Sequence, residues 1–275
     1  TTIGPLVTMP SGAGAARKSD DPCARNRAAH VLHHAPHRRD APALELARRQ
    51  HAVTIVARDG GRLESVARTL REIGPQEPRV LVADLTDEGD LRRSAEAARQ
   101  VDVLVNAAGI YREAFLPDHS DAAWTDQIEI NLTGAFRMIR ALWPDMLAAG
   151  WGRIANIAST AGTKGAAGYA AYCASKAGLI GLTKAVAVEG APQGINAIAL
   201  SPTWVETPMM ANAIQRIALA KGFSPAQARA ELGRSNPQGR LVQPAEVADA
   251  VAWLCSPAAG AINGQSVSVS GGEVM

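Results

Sequence analysis

The sequence predicts an α/β protein, a doubly wound parallel sheet with helices on both faces, in a single domain over residues 1–275. Three observations predict it. From about residue 43 onward, short β-branched runs alternate with stretches of helical length, the order that parallel strands joined by crossover helices require. The strand-like runs are continuously apolar rather than alternating, as expected for strands covered on both faces. Apolar residues make up 47% of the chain and aromatics only 4%, which suits alanine-rich helices packed closely on a sheet. No internal repeat and no second domain interrupts the pattern.

The elements follow in order. ALELARR at 43–49 ends a helix, and HAVTIVAR at 51–58 is a buried strand. GRLESVARTLREIG at 61–74 has helical spacing and stops at Gly74-Pro75. RVLVADL at 79–85 is a strand, EGDLRRSAEAARQV at 88–101 a helix, and DVLVNAAG at 102–109 a strand ending in small residues. Residues 122–147 form one long helix or two joined ones, with a bend expected at Pro144. GRIANIAS at 152–159 is a strand, 168–192 a helix, and GINAIALSP at 194–202 a strand. PAEVADAVAWLCS at 244–256 is a helix and GQSVSVSGG at 264–272 the last strand. Ligands of such sheets bind at the carboxyl ends of the strands. Arg58, Asp84, Asn106, Ser159 and Pro202 follow strands and are the residues to examine.

Composition removes several functional classes. A net charge of +2 is too small to imply a nucleic-acid or membrane partner. Cys23, Cys173 and Cys255 are scattered, with no CxxC pair, so neither a disulfide framework nor a zinc site is expected. No apolar run is long enough to span a bilayer, and the first residues lack the apolar core of a signal peptide. The expected setting is cytoplasmic.

Residues 1–42 break the regularity. LVT at 6–8 reads as the tail of a first strand, and the segment after it shows no helical or strand period. His30, His33, His34 and His37 cluster there beside Arg38 and Arg39. HxxHH lacks the carboxylate of the usual zinc-helix motif, so the segment reads as a solvated basic insertion rather than a metal site. Ser11-Gly12-Ala13-Gly14 contains Gly-x-Gly but falls short of a dinucleotide-binding turn.

YCASK at 172–176 carries the chemistry. Tyr172 and Lys176 stand four positions apart on a helix and project together. A free phenol has a pKa of about 10 and exchanges its proton poorly near neutrality, whereas a neighbouring ammonium favours the phenolate. On spacing alone, a half-buried tyrosine with a snorkelling lysine satisfies the same pattern. Ser159 ends a strand thirteen positions before Tyr172, and Asn131 lies mid-helix. Taken singly, Ser159 also suits a helix cap and Asn131 a helix kink.

Together, NAAG at 106–109, INLTG at 130–134, GRIANIAS at 152–159, YCASK at 172–176, SPTWVETPM at 201–209 and GQSVSVSGG make a specific set. In these motifs the chain resembles the short-chain dehydrogenase/reductase family, in its single-domain, 3-oxoacyl reductase-like branch, from about residue 43 to 275. The resemblance implies a Rossmann-type fold and an oxidoreductase that interconverts a ketone and a secondary alcohol. It implies that Tyr172 exchanges the proton, Ser159 holds the substrate oxygen, Lys176 lowers the tyrosine pKa and binds ribose hydroxyls, and Asn131 fixes a water. It implies cofactor contacts from Asp84 and Leu85 at the adenine, from Asn106, Ala107 and Gly109 after a strand, and from Pro202, Val205 and Thr207 at the nicotinamide. Ala107 stands where the family usually has a second Asn, and Thr203 follows Pro202 where the family has Gly.

The second strand ends in Ala57-Arg58, without the carboxylate that binds the ribose of NAD. A guanidinium there suits the 2′-phosphate of NADP, with NAD left open by Asp59 next door. The expected partner is a small-molecule carbonyl or alcohol. A substrate lid is expected over 209–240, with Trp204, Met209 and Met210 giving it an apolar face. The resemblance also implies a homo-oligomer, packed through 121–147 and 169–190. The disturbed glycine turn motivates an alternative: a nucleotide-binding or scaffold protein with weak catalysis.

Overall fold

A computed structural model describes residues 28–32, 40–207 and 210–275. The described elements are β1 (Ala28–Leu32), α1 (Ala41–Arg48), β2 (Ala52–Ala57), α2 (Gly60–Ile73), β3 (Arg79–Val82), α3 (Glu88–Ala97), β4 (Val103–Asn106), α4 (Asp121–Ile128), α5 (Gly134–Ala149), β5 (Gly152–Ile157), α6 (Ala170–Gly190), β6 (Ile195–Pro202), α7 (Ala211–Lys221), α8 (Pro225–Gly233), α9 (Pro244–Leu254) and β7 (Ser266–Val269). The sheet order is β3-β2-β1-β4-β5-β6-β7, and every neighbouring pair is parallel. This is the doubly wound Rossmann-type sheet. Its order reverses between β1 and β4, where a crevice opens at the strand ends.

Local chemistry sets the boundaries. The Asp59 carboxylate accepts from Arg62 N and starts α2, and the Gly74 N–H bonds Leu70 O and stops it. Asp87 and Ser120 cap α3 and α4 in the same way. One face of the sheet packs on α1, α2 and α9 through Leu46, Leu63, Leu70 and Val251. The other packs on α3, α5 and α6 through Leu91, Met138, Leu142 and Val186. Among the described residues no helix is long and apolar enough to cross a membrane.

One sequence expectation needs correction. The stretch after residue 8 shows no strand period, yet β1 lies within it as an interior strand between β2 and β4. AAHVL is too short and too poor in β-branched residues to announce a strand. Its identity comes from parallel pairing to β2 on one side and β4 on the other. The expected strand tail at 6–8, the Ser11–Gly14 stretch, and His33, His34 and His37 lie outside the described residues. Over residues 121–149 a π-helical turn, Glu129–Thr133, joins α4 to α5, and Pro144 sits inside α5 without ending it, as expected. Pro144 and Arg140 are exposed, so water can satisfy the carbonyl that proline leaves free.

His30 is the anomaly of β1. It is fully buried, beside Thr54 and Leu104 in register, and neither ring nitrogen has a hydrogen-bond partner. Burial pushes its pKa from 6.5 down to about 3. The unfolded chain therefore binds a proton that the folded chain refuses between those values. Stability attributable to this residue is intact above pH 6.5 and falls by about 1.4 kcal/mol per pH unit toward pH 3. His30→Val should raise stability by about 1–3 kcal/mol at neutral pH by removing an unsatisfied buried group. It should also flatten the decline between pH 6 and 4, both read by urea unfolding across pH.

Candidate active site

The crevice at the carboxyl ends of the strands is a cavity of about 270 Å³. Ala107, Ser159, Tyr172, Lys176, Pro202, Val205 and Thr207, all predicted from sequence, line it together.

Helix α6 carries Tyr172 and Lys176 on the face turned to this cavity. Lys176 is 1% exposed, and its Nζ donates to Ile157 O at 2.7 Å. The same Nζ lies 5.8 Å from the centre of the Tyr172 ring. Ser159 follows β5 and begins a short 3₁₀ turn, where its Oγ accepts from Ala161 N at 3.2 Å. It is thus both a cap and a lining residue. Gly162 ends that turn against α6. A Cβ at Gly162 would sit 2.8 Å from the Lys176 carbonyl carbon, so only glycine lets the Ser159 turn approach the tyrosine helix this closely.

Asn131 sits in the π-helical turn, buried, and does not line the cavity. Its Oδ1 accepts from Ile110 N at 2.7 Å, and its Nδ2 donates to Ile110 O at 2.9 Å and Ser175 Oγ at 3.0 Å. It ties the loop after β4 to α6, one residue before Lys176. The π-turn is what brings the asparagine to this position between two helical segments.

The remaining predicted residues divide. Arg58 follows β2 and Asp84 follows β3, and their side chains pair at 3.4 Å, half-exposed and partly exposed. The Asp84 carboxylate also accepts from Thr86 N and Oγ1. Leu85 is buried in the core beneath, beside Gly134, and Gly109 is buried as well. Asn106 is the last residue of β4. Its side chain turns into the protein, with Nδ2 donating to Asn156 Oδ1 at 2.7 Å, and Ala107 faces the cavity instead. Asn156 in turn donates to Thr183 on α6, so this buried polar chain ties β4, β5 and α6 together.

The motifs, the parallel sheet and the shared cavity agree with what the comparisons find. A family profile described as Enoyl-(Acyl carrier protein) reductase matches residues 40–273. The chain belongs to the short-chain dehydrogenase/reductase family. It is 38% identical over 238 residues to a putative ketoacyl reductase of Streptomyces coelicolor, covering 83% of this chain and 91% of the relative. It is 42% identical over 173 residues to an acetoacetyl-CoA reductase of Rhizobium meliloti, covering 63% of this chain and 68% of the relative. Among solved structures, a variant of actinorhodin polyketide ketoreductase with NADPH superposes with a TM-score of 0.82 at 35% identity. The superposition spans 90% of this chain and 97% of that one. As a member of the family, the chain is an oxidoreductase.

Within this short-chain dehydrogenase/reductase, sequence reasoning missed several lining residues. Tyr111, Tyr169, Lys164 and Glu273 all border the cavity. Tyr169 precedes Tyr172 by one helical turn, a signal that was present in the sequence. Glu273 was not legible, because it comes from the chain end and reaches the cavity only through the fold. There it pairs with Lys164 and accepts from Thr203 Oγ1.

The close approach at Gly162 is testable. Gly162→Ala should destabilise the protein by about 1–3 kcal/mol through overpacking, read as a lower urea midpoint. Gly165→Ala, where the added methyl meets open space, should leave the midpoint unchanged.

Proposed function

We propose that this protein reduces a ketone to a secondary alcohol with NADPH, and runs the reverse reaction with NADP. The observation that carries the reading is the convergence of Ser159, Tyr172 and Lys176 on one cavity, with the lysine ammonium buried beside the phenol ring. The dinucleotide, when bound, supplies the hydride that goes to the carbonyl carbon. Ser159 holds the carbonyl oxygen by a hydrogen bond, and Tyr172 gives that oxygen its proton. Lys176 stabilises the phenolate left behind and faces the ribose. Asn131 holds the loop and helix around the proton path, with its amide already committed to Ile110 and Ser175.

NADP is favoured by the end of β2. Arg58 is half-exposed there, and Asp59, the carboxylate that would speak for NAD, is engaged as the N-cap of α2. The structural relative solved with NADPH points the same way. Asp84 and Leu85 would border the adenine, and Pro202, Val205 and Thr207 the nicotinamide. The α7–α8 region within 209–240 would cover the substrate: Met210, Ala213, Leu232 and Leu241 form a small core of their own. The relatives' ketoacyl and acetoacetyl-CoA names support a 3-oxoacyl-type ketone as the parent substrate chemistry. Trp124, Phe136, Leu147 and Val188 are exposed on the helices expected to pack against a second copy, and the setting is cytoplasmic in this reading.

Tyr172→Phe should lower kcat for ketone reduction by at least about 100-fold while NADPH still binds. A variant that keeps full turnover defeats the proton assignment. The second reading, a nucleotide-binding or scaffold protein, draws on residues 33–40 between β1 and α1, which contain no glycine. Fluorescence titration separates the two. Saturation by NADPH in the micromolar range is expected, weakened about tenfold or more by Arg58→Ala. No binding at millimolar NADPH would favour a scaffold protein.

A further inference from the structure

The chain has only three tyrosines, and all three line the one cavity. Tyr111 and Tyr169 stack with ring centres 5.9 Å apart and planes 29° apart. The Tyr172 ring meets Tyr111 edge-on at 6.3 Å and Tyr169 edge-on at 6.4 Å. Only Tyr172 has a place in the proton transfer. Burial raises the hydroxyl pKa of Tyr111, and that of Tyr169 to about 12, so both remain neutral phenols at working pH.

The pair is held from outside the cavity. Ala114 and Tyr169 form a parallel bridge, with Ala114 N donating to Gly168 O at 3.0 Å. Gly168 has φ +79° and lies against the Glu113 side chain, a conformation and a clearance that favour glycine. The Tyr169 hydroxyl donates to Glu113 Oε2 at 2.9 Å, and Arg216 of α7 pairs with the same carboxylate while donating to the Tyr169 oxygen at 3.3 Å. The polar end of Tyr169 is therefore committed to Glu113 and Arg216, and its ring is what it offers the cavity. Trp204 and Met210 add a second aromatic ring system and a polarizable thioether to the lining. The cations of the rim are spoken for: Arg216 pairs with Glu113, and Lys164 pairs with Glu273.

We propose that Tyr111 and Tyr169 form an aromatic wall that makes this protein selective for a compact, uncharged ketone carried on or beside a ring. The inference rests on the ketone-reductase reading above but departs from the 3-oxoacyl chemistry that the relatives' names suggest. A ring-bearing substrate gains stacking and edge contacts from the two phenols while its carbonyl reaches Ser159 and Tyr172. A short linear ketone gains none of them. A substrate with a phosphate-bearing tail meets rim cations already paired with carboxylates. Tyr111 and Tyr169 orient the ring and take no part in hydride or proton transfer.

The test compares kcat/KM with NADPH for α-tetralone and ethyl acetoacetate. The unaltered protein should favour α-tetralone by about tenfold or more. Tyr111→Leu and Tyr169→Leu should each lower that preference about five- to tenfold, the scale of one aromatic contact. Tyr169→Phe, which keeps the ring, should hold the preference within about twofold. Independently of any variant, α-naphthol should compete with ethyl acetoacetate about tenfold more tightly than hexanol does in the unaltered protein. Equal competition by the two alcohols, a wild-type preference for the linear ketone, or leucine variants with unchanged preference each overturn the inference alone. Binding of NADPH without reduction of either ketone overturns the ketone-reductase reading and this inference with it.

Discussion

Lys176 carries a charge into a place nearly closed to water, and the surrounding backbone is arranged around that charge. An ammonium at 1% exposure is costly unless its donors are met. Ile157 O meets one of them at 2.7 Å, and Ile157 is the last residue of β5. This contact helps tie the helix that bears the tyrosine to the strand that leads to the serine. The cation also stays beside the phenol ring rather than leaning out to solvent, as an unconstrained lysine would.

Close packing by small residues makes that arrangement reachable. Gly162 lets the turn after Ser159 lie against the backbone of α6, and Gly178 leaves room on the same helix for Leu132, the neighbour of Asn131. The π-turn at Glu129–Thr133 inserts Asn131 between the loop after β4 and Ser175. The buried chain from Asn106 through Asn156 to Thr183 fixes the same elements one layer deeper. Polar groups that sequence reading assigned to cofactor contact thus divide between the cavity and the scaffold that shapes it. The Asn131 amide and the Nδ2 groups of Asn106 and Asn156 all find protein partners, whereas Asn106 Oδ1 has none.

The side of the cavity proposed for the substrate is built differently. Its rings come from the loop after β4 and from the start of α6, joined by the Ala114–Tyr169 bridge. Its outer border is set by ion pairs to α7 and to the chain end, Arg216 with Glu113 and Lys164 with Glu273. The side that carries Ser159, Tyr172 and Lys176 rests on strands and a long buried helix, whereas this side rests on loops and surface pairs.

By itself, the sequence determined the alternation of strands and helices, because that depends on local periodicity. It also determined the pairing of Tyr172 with Lys176, because four residues on a helix return a side chain to one face. Ser159 was legible from its place at a strand end. Only the tertiary structure decided that AAHVL is an interior strand, since a short polar-interrupted run becomes a strand through its two neighbours. It alone turned Asn106 inward, placed a π-turn between α4 and α5, and brought Tyr111, Tyr169 and Glu273 to one cavity. Those outcomes depend on contacts between residues far apart in the chain, and local periodicity carries no record of such contacts.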